Sequence, residues 1–137
     1  RTPNFSGKWH LEHAENLKAF MAAIDYNFFL REFAGLAKVT QVIDQSEGSF
    51  TFQFGSFPAM VPTRIVSFRL DDDEVSMLDD GGREMVLSRP QWDGEVLRAF
   101  LRYRSPVHEL EIMRYIESGK MVEHVRHLEK DVEMRRI

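Results

Sequence analysis

At 137 residues, 43% hydrophobic and 29% charged, the chain has the size and composition of one folded domain and is too apolar to be disordered. Its net charge of −4 implies no broad basic face and sets nucleic acid aside as a partner. There are no cysteines, so disulfides and thiolate chemistry are excluded, and no apolar run reaches the roughly 18 residues that a membrane-spanning helix needs.

In chain order, Phe5 to Glu12 reads as a first strand, with Ser6-Gly7 allowing a bend before Trp9. Leu17, Phe20, Met21 and Ile24 then recur at helical spacing and predict a helix over 16–24. Asp25 and Asn27 mark a break. A second helix is predicted over 27–38, apolar around most of its circumference through Phe28, Phe33, Leu36 and their neighbours. Everything after Val39 reads as strands and turns. Ser49 to Phe54 alternates with period two, the pattern of a half-buried strand. Further strands are predicted over 63–70, 75–78, 83–89, 95–104, 107–116, 121–127 and 132–137. They are separated by turns at Asp71–Glu74, Asp79–Gly82, Asp93-Gly94, Ser105-Pro106, Ser118-Gly119 and Glu129–Asp131. Short strands on tight turns argue an antiparallel meander, and so many strands in one domain must split into two sheets or close into a barrel.

Asn4-Phe5-Ser6-Gly7-Lys8-Trp9, Glu15-Asn16-Leu17 and Ala34-Gly35-Leu36-Ala37-Lys38 together resemble the intracellular lipid-binding proteins, which include the fatty-acid-binding and the cellular retinol- and retinoic-acid-binding proteins. Asp80-Gly81-Gly82-Arg83 and Trp92-Asp93-Gly94 are similar to turns of that family, and the likeness runs nearly end to end. The resemblance implies a mainly β fold, a ten-stranded antiparallel up-and-down barrel of clam shape, lipocalin-like, with a two-helix lid. It implies one lipid-binding domain over 1–137, no enzymatic activity, no cofactor and no metal. The expected partner is a long-chain fatty acid or a retinoid. The expected state is a monomer in the cytoplasm, with the nucleus as a second compartment and transient membrane contact through the lid.

In family members that bind carboxylates, an arginine on the eighth strand and an Arg-x-Tyr on the last strand hold the head group. Arg114, within Met113-Arg114-Tyr115-Ile116, stands where the first is expected. For the second, gapless matching favours Arg135, whereas period-two alternation turns Val132, Met134 and Arg136 inward. Both stay open, and no tyrosine follows either at the family's spacing. Leu17, Phe20 and Met21 of the first helix, and Phe28, Phe33, Ala34 and Leu36 of the second, are candidate lipid-facing positions. Phe57 lies at the opposing turn, and Arg83 resembles a cavity-side residue.

The chemistry agrees with that assignment. A guanidinium does not shed its proton, so a buried arginine calls for an anion. A lone strand arginine is more often solvated, and a helical apolar stripe more often plain core. Glu123, if inward, could pair with Arg114 and favour a neutral alcohol over an acid. Five scattered histidines show no zinc-binding spacing, and the acidic turns lack a calcium-loop pattern. The rival to a carrier is a barrel-fold interaction or scaffold protein with weak or lost lipid binding.

Overall fold

The computed structural model describes residues 2–11, 13–26, 38–57, 62–78, 83–104 and 106–137. Its elements are β1 (Gly7–Leu11), β2 (Ala14–Glu15), α1 (Leu17–Ala23), β3 (Lys38–Ser46), β4 (Ser49–Phe57), β5 (Pro62–Arg69), β6 (Glu74–Leu78), β7 (Glu84–Asp93), β8 (Val96–Arg104), β9 (Val107–Glu117), β10 (Lys120–His127) and β11 (Glu133–Arg136). They form two antiparallel sheets, one in the order β1-β3-β4-β5 and one in the order β2-β11-β10-β9-β8-β7-β6.

Alternation in the sequence decides which side of each strand is covered. On β4, Phe50 and Phe52 are buried while Thr51 turns outward, its hydroxyl 3.1 Å from that of Ser67 on β5. On β8, Leu97, Ala99, Leu101 and Tyr103 are buried, and the residues between them are more exposed. Turn chemistry fixes the register. Ser118 and Gly119 both have positive φ, 53° and 75°, as a two-residue hairpin turn of the primed type requires. That turn sets Glu117 opposite Lys120 and aligns the rest of β9 with β10.

The buried side chains of both sheets and of α1 make one apolar cluster. Phe5 stacks on Trp92 with ring centroids 5.8 Å apart, and Phe50 on Phe68 at 5.2 Å. Such pairs add about 0.5–1.5 kcal/mol each beyond their burial.

Three expectations need correction. The first strand is two pieces: β1 pairs with β3, and β2 pairs with β11, so residues 7–15 serve both sheets. Among the described residues the strands number eleven in two sheets rather than ten in one closed barrel. Separation at β5 has a local cause. The Arg69 N–H donates to Asp72 Oδ2 at 2.8 Å, the Leu70 N–H to Gly48 O at 2.8 Å, and Arg69 Nη1 to Ser49 Oγ at 2.7 Å. These bonds turn the end of β5 back on its own hairpin before β6 begins. Finally, one helix stands where a two-helix lid was expected; the second predicted helix lies outside the described residues except for Lys38, which opens β3.

The helix itself is short. Asn16 enters it in the left-handed region at φ 61°, and its side chain donates to Glu133 O at 2.9 Å rather than capping the first turn. Asp25, at φ 67°, ends it.

Candidate functional site

The register brings three charged side chains together. Pairing of β9 with β10 sets Arg114 opposite Glu123, and pairing of β10 with β11 sets Glu123 opposite Arg136. Directly opposed residues share one face of the sheet. Here that face looks at the other sheet: the Arg114 guanidinium lies 4.4 Å from the Phe52 ring centroid on β4 and donates to Gln41 on β3. The cluster therefore sits between the sheets.

Its bonds are short and its members buried. Arg114 Nη2 donates to Glu123 Oε2 at 2.7 Å and to Gln41 Oε1 at 3.3 Å, and Gln41 Nε2 donates to the same Glu123 oxygen at 2.9 Å. Gln41 is 0% exposed, Glu123 5% and Arg114 6%. Arg136 stands further off, its Nη1 3.6 Å from Glu123 Oε1. Arg136 Nε is buried and has no hydrogen-bond partner among the described residues. Two guanidinium groups thus meet at the Glu123 carboxylate.

On β11 the two arginines take opposite sides. Met134 is buried and Arg136 follows it on the inner side, while Arg135 points the other way. Arg135 Nε donates to Glu15 Oε1 at 2.9 Å, and a second nitrogen lies 3.7 Å from Glu117. The bond to Glu15, then that to Tyr115, raises the Arg135 pKa; the bond from Arg135 holds the Glu15 carboxyl below its ordinary range. Arg135 thus ties β11 to β2 and leaves the inner face to Arg136.

Arg83 is also engaged elsewhere. Its guanidinium lies 3.9 Å from the Tyr26 ring centroid and donates to Ile24 O and, at 2.6 Å, to Asp25 O. It holds the carbonyl end of α1, where a cation suits the helix dipole. Leu17 and Phe20 are buried against the core cluster and Met21 is half-buried. Phe28, Phe33, Ala34 and Leu36 lie outside the described residues, and Phe57 is described only as the last residue of β4.

Sequence reasoning missed two participants. Gln41 carries no motif; its inward direction could have been read from β3 alternation, since it shares a side with the fully buried Ile43. The pair His108 and His127, both buried, lies where β9 and β10 meet the end of α1. A surface cleft of about 440 Å³ is lined by Trp9, His10, His13, Lys120, Met121 and others, and by none of the three clustered charges.

No family model matches the chain. The fatty acid-binding protein homolog 3 of Caenorhabditis elegans is 28% identical over 120 residues, which cover 86% of this chain and 72% of that protein. The mouse retinoid-binding protein 7 is 38% identical over 50 residues, 36% of this chain and 37% of that protein. In three dimensions the REP1-NXSQ fatty acid transporter superposes with a TM-score of 0.81 at 24% identity, over 96% of this chain and 91% of that one. Both sequence relatives are named as binding proteins and not as enzymes.

Proposed function

We propose, from this likeness to the intracellular lipid-binding proteins in sequence and in fold, that the chain is a non-enzymatic carrier of one long-chain lipid, a fatty acid or a retinoid. The observation that carries the reading is the buried Arg114–Glu123–Arg136 cluster between the sheets. In this reading the two sheets are the walls of a barrel around the lipid. The tail runs along apolar side chains, gaining about 0.8 kcal/mol per methylene removed from water. The head group meets the arginines. Charge-assisted, bidentate bonds suit a carboxylate there, and the Nε edge of Arg136 offers that geometry. The carrier is a cytoplasmic monomer of one domain, loaded by transient opening near α1.

A second reading is a carrier of a neutral retinoid alcohol. Glu123 favours it, because it already neutralises Arg114 and offers an acceptor to a hydroxyl.

The test is native mass spectrometry of protein purified from cells, followed by displacement of a fluorescent fatty acid with palmitate, retinoic acid and retinol. One lipid per chain, displaced in the micromolar range or tighter, is expected. A lipid-free mass together with no displacement by any of the three rejects the carrier and leaves an interaction module.

A further inference from the structure

We infer that the buried pair His108 and His127 is a proton-operated switch: a proton taken up at the pair frees the β10–β11 turn and, through Lys130, slackens the hold on the carbonyl end of α1. The device acts on the fold itself and does not depend on which ligand the chain carries.

Every ring nitrogen of the pair is in use. His108 of β9 and His127 of β10 are 4% and 3% exposed, with ring centroids 5.1 Å apart. His127 Nδ1 lies 3.1 Å from the Glu129 amide nitrogen and 3.0 Å from that of Lys130. Both amides are donors, so Nδ1 is the bare nitrogen of its ring. His127 Nε2 then carries the proton and donates to His108 Nδ1 at 3.0 Å. His108 Nε2 carries the proton of the other ring and donates to Asp25 Oδ2 at 2.8 Å. Among the described residues, the titratable and charged groups around the pair come from several elements. Asp25 faces it from the end of α1, and Tyr103 of β8 meets His108 edge-on with centroids 6.3 Å apart. Glu129 and Lys130 act on His127 from the turn, while Lys130 and Arg83, the latter just before β7, act on Asp25.

A further proton finds no vacant nitrogen. Placed on His127 Nδ1, it sets an N–H against the two turn amides. Placed on His108 Nδ1, it sets an N–H against that of His127, and the clash is relieved when His127 moves its own proton from Nε2 to Nδ1. The Asp25 carboxylate favours the second placement, because the positive ring then lies 2.8 Å from an anion. Both placements keep the bond to Asp25 and end with a proton on His127 Nδ1. The bonds that fail are therefore those of the Glu129 and Lys130 amides, and a proton received at one ring is felt at the far side of the other. Burial first, then His108 and Lys130, depress the His127 pKa below its ordinary 6.5, which puts the change on the acid side of neutrality. The turn that loses these bonds also carries Lys130, whose Nζ donates to Ala23 O. The ties of Arg83 to Ile24 O and Asp25 O do not pass through that turn. Acid thus loosens one tie on the end of α1 and leaves the others, a partial release rather than unfolding.

The test is nuclear magnetic resonance of the whole chain between pH 7.5 and 5, reading the ring nitrogens of both histidines and the exchange protection of the backbone amides. On acidification His127 Nδ1 is expected to pass from unprotonated to protonated. Protection at the Glu129 and Lys130 amides is expected to fall by about tenfold or more, while amides inside β9 and β10 change by less than about threefold. Asp25→Asn withdraws the anion that favours a charged His108, at an exposed position whose φ of 67° asparagine accepts. It is expected to lower the pH midpoint of the turn by about half a unit or more. His127→Gln is expected to make the protection of the turn independent of pH; should it not fold, Asp25→Asn decides alone. Rings that stay neutral down to pH 5 overturn the switch, as does a protonated His127 Nδ1 with the two turn amides still protected. A midpoint unmoved in Asp25→Asn overturns it too. Loss of protection at all amides together overturns it as well, and makes the pair a support of the whole fold alone.

Discussion

His108 Nδ1 lies 3.0 Å from His127 Nε2, and the groups around that bond decide which ring donates. His127 Nδ1 accepts the backbone N–H groups of Glu129 at 3.1 Å and Lys130 at 3.0 Å, so its proton is on Nε2. His127 therefore donates to His108. His108 in turn carries its proton on Nε2 and donates to Asp25 Oδ2 at 2.8 Å. The chain of bonds runs from the β10–β11 turn to the end of α1. An added proton has no ring nitrogen to occupy without the loss of one of these acceptors.

This relay gives stability a definite pH dependence. Burial first, then the neighbouring His108 and Lys130, depress the His127 pKa below its ordinary 6.5, against weaker opposition from Glu129 and Asp25. The native state then binds fewer protons than the unfolded chain below that value, so stability falls as the solution is acidified from about pH 6.5. Asp25, held below its ordinary 3.8 mainly by the bond from His108 and further by Lys130 and Arg83, adds stability that is present above that value and lost beneath it. The melting temperature is expected to drop between pH 7.5 and 5.5, with a shallower slope in His127→Gln. A melting temperature flat over that interval in the wild type contradicts the relay.

Removing the carboxylate alone should cost more than removing all three charges. Glu123→Gln takes the carboxylate from both Arg114 and Arg136, and is expected to destabilise the fold by about 3–5 kcal/mol in urea titrations. Glu123→Leu combined with Arg114→Met and Arg136→Met removes the three charges together and should recover most of that loss. A triple variant as unstable as the single one would show that the packing around the cluster matters more than its charge.

Phe52 is the apolar floor of the same cluster. It is 2% exposed, stacks on Phe54 at 5.9 Å and on Phe68 at 5.8 Å, and lies against Arg114. Phe52→Ala is expected to cost about 3–5 kcal/mol, since the rigid sheet cannot collapse into the space. A loss under about 1 kcal/mol, measured the same way, would mean that the site refills.

Arg83→Ala tests the anchoring of α1. Arg83 spans from the start of β7 to the carbonyls of Ile24 and Asp25, and Lys130 Nζ donates to Ala23 O beside it. Hydrogen exchange at the amides of Asp25 and Tyr26 is expected to quicken by roughly tenfold, while the β9–β10 amides keep their protection. Unchanged exchange would leave Lys130 and His108 as the anchors that matter.

Much of the scaffold was legible because its signals are local. The Phe50-Thr51-Phe52 alternation gave β4, and the Ser118-Gly119 turn gave the β9–β10 hairpin and, through its two-residue length, the meeting of Arg114 with Glu123. Period two also preferred Arg136 over Arg135 as the inward residue, where spacing against relatives preferred Arg135. What stayed hidden depends on long-range pairing. Nothing near Ala14 announces a strand, since β2 is two residues long and exists through its bonds to β11. His108, His127 and Asp25 share no spacing in sequence, because three separate elements carry them to one point.

The stitching of both sheets by residues 7–15 has a bearing on how the molecule is made. Ala14 and Glu15 find their partners, Arg136 and Arg135, far along the sequence. On a ribosome the β3–β4–β5 meander and its β1 neighbour can assemble early, yet the seam to β2 must wait for β11 to emerge. Such long-range closure is slow, and it leaves an open strand edge in the nascent protein until β11 has been made.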